Sequence, residues 1–434
     1  MIYEPNWESI DSRPIPKWYD EAKFGIFIHW GVYSVPAWAP KGTYAEWYWA
    51  SMANKEGPTW KFHVQNYGEK FKYQDFAPMF KAEMFDPDEW AECFKQSGAR
   101  YIALTSKHHD GFCLWPSAYS WNWNSIDIGA HRDLLGDLTK SVRDKGMKMG
   151  FYYSLYEWYR PLYLADPARY AVKHMIPQLK EVVERYEPSI IFTDGEWDHP
   201  SEVWRSCEFL AWLFNESSCR EDVVVNDRWG KGTRNEHGGY YTTEYGEVGG
   251  GKSPIEEHKW EECRGIGASF GYNRNESVAD YAKSRDLIHL LINIVSNGGN
   301  LLLNIGPTGD GRIPVIMQQR LMDIGEWLKV NGEAIYGTRP WRERADGESV
   351  KYTSKDDAVY AICLDWPGQE LVLNAPKPGK DTSVSMLGLE NPLQWRYHKR
   401  ESDVNGKFQI DLSSLSIKDV SPGYAYVFKL TDIE

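Results

Sequence analysis

Apolar runs that end in polar, ionisable and aromatic residues recur along this chain. Phe24–Ile28 leads into His29-Trp30, and Tyr101–Ser106 leads into His108-His109-Asp110. Ser189–Thr193 leads into Asp194-Gly195-Glu196-Trp197, and Asp222–Val225 into Asn226-Asp227-Arg228-Trp229. Neighbouring side chains on a strand face opposite ways, so two adjacent imidazoles serve a core poorly. At a strand end, where the chain turns, both rings can lean toward one opening. Amphipathic stretches separate the strands: Pro87–Gln96, Asp133–Arg143, Met175–Tyr186, Asp280–Ser296 and Gln318–Val330. Repeated strand–helix units imply parallel strands with crossover helices. Chemistry delivered at the C-terminal ends of many such strands is the layout of a (β/α)8-like barrel. No Gly-rich phosphate fingerprint follows the first strand, which disfavours a dinucleotide-binding sheet.

The pattern changes after Trp341. Short alternating runs follow at Ala358–Cys363, Glu370–Leu373, Ser383–Met386, Gln394–His398, Phe408–Leu412 and Tyr424–Phe428. Turn-forming Pro, Gly, Asp and Asn separate them. The expected architecture is α/β: a (β/α)8-like catalytic barrel over 1–341 and a small antiparallel β-sandwich over 342–434. The charged stretch 342–348 is expected to be the junction. A length of 434 residues suits a barrel of about 250 or more residues with an appended module.

A net charge of −13 argues against nucleic-acid and anionic-membrane partners, which select a basic footprint. No run approaches transmembrane length. Met1–Pro5 lacks the basic start and apolar stretch of a signal peptide, so a cytoplasmic location is expected. The six cysteines are scattered and show no zinc-ligand spacing. No cofactor is expected, and a homo-oligomer is compatible with everything above. The 21 tryptophans are the unusual count. Several, including Trp30, Trp47, Trp158 and Trp197, lie beside polar strand ends, where flat rings suit the C–H faces of sugars as well as a core.

Asp194 leads the chemical candidates. It ends an apolar strand, and Gly195 leaves room beside its carboxylate. It suits a nucleophile, a base or a metal ligand, or alternatively a helix cap; Glu196 and Asp198 are rivals nearby. His29, His108 and His109 suit hydroxyl recognition or metal binding, and Arg228 suits a carboxylate or a hydroxyl clamp. A second carboxylate for acid–base work is sought among Glu46, Glu244, Glu261 and Glu262, and the residues alone do not choose. A metal-dependent barrel hydrolase and a non-catalytic sugar-binding barrel compete with a glycosidase on these grounds.

The chain resembles the α-L-fucosidases of glycoside hydrolase family 29. The resemblance rests on Lys23–Gly31, Tyr44–Tyr48, Thr105–Phe112, Gly150–Ser154, Phe192–Gly195, Asn226–Arg228, Phe270–Asn273 and Asn304–Gly311. It runs to about residue 340, and the later strands look like the family's accessory β-domain. It implies a retaining enzyme that removes terminal α-L-fucosyl residues from glycosides or oligosaccharides, with transfucosylation as a further outcome. Asp194 is then the nucleophile. His29, Glu46, Trp47, His108, His109, Tyr152 and Arg228 line the sugar pocket, with Tyr153 as the alternative to Tyr152. Phe270 lies near the sugar's methyl group. Glu244 is the closest match to the acid/base, with Glu261 and Glu46 as alternatives, because Lys231–Glu236 lengthens the preceding linker.

Overall fold

The structure, a computed structural model, describes residues 2–248, 258–398, 406–415 and 423–434. Nine strands form the first sheet: β1 (Phe24–Ile28), β2 (Tyr101–Lys107), β3 (Lys148–Ser154), β4 (Ile190–Asp194), β5 (Val224–Val225), β6 (Tyr241–Glu244), β7 (Glu247–Val248), β8 (Trp260–Gly265) and β9 (Asn300–Ile305). Their order is β5-β4-β3-β2-β1-β9-β8-β6-β7. All neighbours pair parallel except β6 with β7, which leaves eight parallel strands among the described residues. The two ends of that array approach each other: Gly239 N donates to Asn226 O (3.2 Å) and Tyr240 N to Val225 O (3.0 Å). A Cβ at position 239 would lie 1.9 Å from Val225 O, so only glycine permits this closure. The result is the expected barrel.

Strand alternation sorts the barrel's side chains into two layers. Phe27, Tyr101, Ala103, Tyr152, Phe192 and Leu302 belong to an interior cluster. Ile26, Ile28, Ile102, Leu104, Phe151 and Tyr153 belong to the larger cluster that packs against the helices. Burial on both faces explains why these strands read as continuous apolar runs. Two helices start where the sequence marks them. Asp86 caps Pro87–Gln96 by accepting from the N–H groups of Asp88 and Glu89, with proline at the first position. Asp133 caps Leu134–Asp144 through Gly136 N.

Two expectations need correction. The helix predicted from Asp280 begins at Ser284. Asp280 instead closes a separate short turn, accepting from the Ser277 N–H and hydroxyl at 2.7 Å each. The charged stretch 342–348 is also more than a junction, because Arg339–Asp346 forms the strand β10. It is an edge strand, and charge on an edge protects its unpaired backbone groups from stray pairing.

The remaining strands are β11 (Val350–Lys355), β12 (Ala358–Cys363), β13 (Glu370–Leu373), β14 (Pro378–Met386), β15 (Trp395–His398), β16 (Lys407–Asp411) and β17 (Tyr426–Ile433). They form two antiparallel sheets, β10-β11-β12-β17-β14 and β13-β16-β15. Tyr352, Leu373, Phe408 and Phe428 pack between them. The larger sheet also rests on the barrel's outer layer, since Tyr360, Ile362 and Val427 join that layer's core. Trp327, fully buried, donates its indole N–H to Ala425 O (2.9 Å). Barrel and sandwich therefore share apolar core and should unfold together. Trp327→Ala should cost about 3–5 kcal/mol and lower one common urea midpoint, read by circular dichroism. Two separated transitions in the wild type would contradict a shared core.

Candidate active site

The strand ends converge on one cavity of about 250 Å³. That is below the ~300–1,000 Å³ of sites for drug-sized ligands and on the scale of one sugar ring. Asp194, Glu244, His29, Glu46, Trp47, His108, His109, Tyr152, Arg228 and Phe270 all line it. The residues that the family resemblance assigns first to the pocket and to catalysis are thus brought to one place.

Asp194 is the last residue of β4, and its surroundings fix it tightly. Asn226, just past β5, accepts from Thr193 N (3.2 Å) and donates to Thr193 O (2.8 Å), which pins the strand end. Gly195 turns the chain with φ +74°. A Cβ there would lie 2.2 Å from the Tyr156 ring, so the missing side chain makes room for an aromatic that packs on His109. The carboxylate Oδ1 accepts from Arg228 Nη1 at 2.8 Å, and Oδ2 accepts from the Tyr152 hydroxyl at 2.9 Å. His109 Nε2 and Arg234 Nη2 stand 3.5 and 3.6 Å from its oxygens. Burial pushes this carboxyl up, but Arg228 foremost, with Arg234, outweighs it and holds Asp194 below the usual carboxylate range. It is an anion at neutral pH. Tyr152 stays protonated, because burial and the Asp194 charge push its phenol well above its ordinary range. Tyr153 faces the other way and donates to Gln178 (2.8 Å), so Tyr152 and not Tyr153 lines the cavity.

Arg228 links the two candidate catalytic carboxylates. Its Nη2 lies 3.3 Å from Glu244 Oε2, and Tyr44 donates to Glu244 Oε1 at 3.0 Å. Glu46 is buried and accepts from Gly271 N (2.8 Å); burial raises its carboxyl to about 7. Glu261 lies elsewhere, at the start of β8, accepting from the Tyr19 and Tyr101 hydroxyls at 2.8 and 2.5 Å. It does not line the cavity. Glu262 is tied to Gly246 N and Arg264. Glu196 pairs with Arg234 (2.6 Å), and Asp198 accepts from Tyr163 (2.7 Å). Neither lines the cavity, so the rivals to Asp194 are parted from it by the turn at Gly195.

The histidines are held as neutral acceptors. Asn304 donates its amide N–H to Phe270 O (2.7 Å), so its oxygen faces His29 Nδ1 at 2.7 Å. His29 must donate there, which leaves the Nε2 lone pair. Likewise, the Ser154 hydroxyl donates to Tyr156 O (2.7 Å) and accepts from His109 Nδ1 (2.7 Å). Burial lowers His29 to about 3 and His109 to about 4, and it lowers His108 as well. Such nitrogens accept hydrogen bonds from hydroxyl groups. Phe270 makes the apolar corner, packed edge-on with Tyr44 and Tyr245 at 5.5 and 5.6 Å. Trp47, Trp158 and Trp197 surround His109 at 5.3 to 5.6 Å between ring centroids.

Sequence reasoning missed Phe27, Tyr44, Phe192, Arg234 and Cys263 among the lining residues. Arg234 falls in the lengthened linker, where no periodicity marks it. Tyr44 sits inside a quoted motif, and the hydroxyl's reach to Glu244 is a tertiary fact.

A chain-long match accompanies this geometry. Residues 1–333 match the family model for α-L-fucosidase, and residues 345–431 match that for the α-L-fucosidase C-terminal domain. An α-L-fucosidase of Branchiostoma floridae is 48% identical over 406 residues, covering 91% of this chain and 89% of the relative. Human tissue α-L-fucosidase is 44% identical over 443 residues, covering 100% and 92%. The Thermotoga maritima α-fucosidase solved in complex with fucose is 37% identical, with a TM-score of 0.84 over 99% of this chain and 100% of that one. The family match and these relatives make the chain a glycoside hydrolase. The chain belongs to the α-L-fucosidases of glycoside hydrolase family 29.

Two measurements check the site's construction. Gly195→Ala should lower kcat by on the order of a hundredfold, since a small misplacement of a reacting group costs that much; near-normal turnover would refute the packing argument. The histidines set a pH dependence of stability. With its folded value near 3 and its unfolded value near 6.5, His29 binds a proton first in the unfolded chain, so stability falls as pH drops below about 6.5. From pH 7 to pH 5 this contributes a loss on the order of 2 kcal/mol. His29→Gln should lose correspondingly less in urea titrations over that range. Equal losses in variant and wild type would contradict the neutral buried state.

Proposed function

We propose that this enzyme is a retaining α-L-fucosidase that removes terminal α-L-fucosyl residues from glycosides and oligosaccharides, with Asp194 as nucleophile and Glu244 as acid/base. One observation carries the reading: both carboxylates line a single sugar-sized cavity and are bridged by the two terminal nitrogens of Arg228. Retaining enzymes hold their two carboxyl groups about 5–5.5 Å apart and inverting ones about 6.5–9.5 Å apart, and the shared guanidinium keeps this pair close together.

In the first step an Asp194 oxygen bonds to the anomeric carbon. The glycosidic C–O bond breaks, and Glu244 gives its proton to the departing oxygen. In the second, Glu244 takes a proton from water, the water oxygen bonds to the anomeric carbon, and the bond to Asp194 breaks. A sugar hydroxyl in place of that water gives transfucosylation. The neutral His29 and His109 nitrogens accept from ring hydroxyls, and the Phe270 corner takes the methyl group.

Asp194→Ala should lose about ten-thousandfold or more in kcat while keeping its urea midpoint. Normal turnover in that folded variant would remove Asp194 from the role. Glu244→Ala should slow substrates with poor leaving groups most, and azide should restore turnover. By NMR, the first sugar released should be the α-anomer; initial β-anomer would mean inversion. An apolar corner discriminates weakly against an added hydroxyl, so α-L-galactosides should react within roughly a hundredfold of fucosides. A ratio beyond about ten-thousandfold would show that a polar group enforces the choice.

A further inference from the structure

Asp227 takes no part in the steps above, yet it is completely buried directly beside Arg228. Its Oδ1 accepts from the Thr242 hydroxyl at 2.7 Å. Its Oδ2 accepts from Asn235 N at 3.0 Å and from Thr242 N at 3.2 Å. These contacts lead to two different arginines. The Thr242 oxygen accepts from Arg228 Nε at 3.0 Å, and that guanidinium reaches Asp194 with Nη1. Asn235 follows Arg234, whose Nη2 lies 3.6 Å from the same Asp194 oxygen. Thr233, on the other side of Arg234, donates to Asp227 O at 2.7 Å. The turn that carries Arg234 is thus anchored to residue 227 through both of its neighbours.

We propose that Asp227 is a positioning residue that aligns both arginines on Asp194, one through the Thr242 hydroxyl and the other through the turn at 233–235. The proposal rests on the reading of Asp194 as nucleophile. The orientation of the Thr242 hydroxyl carries the argument. While Asp227 accepts its proton, the oxygen's lone pairs are free for Arg228 Nε. With an amide at 227, an N–H turned toward Thr242 competes for those lone pairs, and the hydroxyl proton loses its acceptor. Partners of this kind, one step behind the reacting groups, typically change activity by 10–100-fold.

Asp194 faces Arg228, Arg234, His109, Tyr152 and Glu196. Loosening the two arginines weakens two of the contacts that keep it ionised, so its carboxyl should hold its proton to higher pH. The test is steady-state kinetics on an aryl α-L-fucoside from pH 4 to 9. Asp227→Asn should lower kcat about 10–100-fold and move the acidic limb of kcat/KM up by about one pH unit, with KM changed less than kcat. Thr242→Val, which spares the Asp227 backbone contacts, should move the limb the same way with about a tenfold loss in kcat, and Thr242→Ser should restore both. Should Asp227→Asn fail to fold, the Thr242 pair decides. An unmoved acidic limb in the folded variants overturns the proposal. The inactive Asp194→Ala control separates the two ideas: a dead control with unmoved limbs sinks only the role of Asp227, whereas an active control sinks the nucleophile itself.

Discussion

The buried ion pair between Asp194 and Arg228 is the constraint on which the site depends. Taking two charges out of water costs several kcal/mol each, and attraction alone repays this only with good geometry and further hydrogen bonds. Both conditions are met at the barrel mouth. Asp194 receives Arg228 and Tyr152 on separate oxygens, and Arg228 is matched by Thr242 and Glu244 as well. The partners come from β4 and from the loop after β5, two neighbouring strands whose backbones are joined. Pairing β4 with β5 therefore also assembles the charge pair.

Electrostatic roles in the cavity divide by environment. Asp194 is held ionised by cations despite burial, while Glu46, with no cation against it among the described residues, is raised by burial to about 7. The histidines are kept neutral by burial, and their outward nitrogens are fixed by Asn304 and Ser154. An ionised Asp194 beside neutral histidine acceptors suits a neutral sugar that gains positive character at its anomeric carbon during reaction. Preorganisation of this kind stabilises developing charge without rearrangement at the moment of reaction.

Much of this was legible in the sequence, for a physical reason. Parallel barrel strands are buried on both faces, so they read as apolar runs, and their ends stand out when His29, His108, His109, Asp194 and Arg228 appear. Glu244 had no such signal, because β6 spans only Tyr241–Glu244 and carries no apolar run. Its place comes from pairing with β8 and from the reach of Arg228 and Tyr44. Arg234 was hidden for a similar reason: it lies in a linker whose path is set by Asp227 across a distance that spacing does not encode. The edge strand β10 was misjudged because its charge, which guards an unpaired edge, looks like a solvated connector. The start of the helix at Ser284 was misplaced because Asp280 serves a local turn, and polar side chains at such positions fit either role.

Trapping the covalent intermediate tests the central claim most directly. The enzyme would be inactivated with a 2-fluoro-fucosyl reagent, digested, and its labelled peptide sequenced by mass spectrometry. A single fluorofucosyl group on the carboxylate of Asp194 is the predicted result. A label on any other side chain, with Asp194 unmodified in the inactivated enzyme, would contradict it.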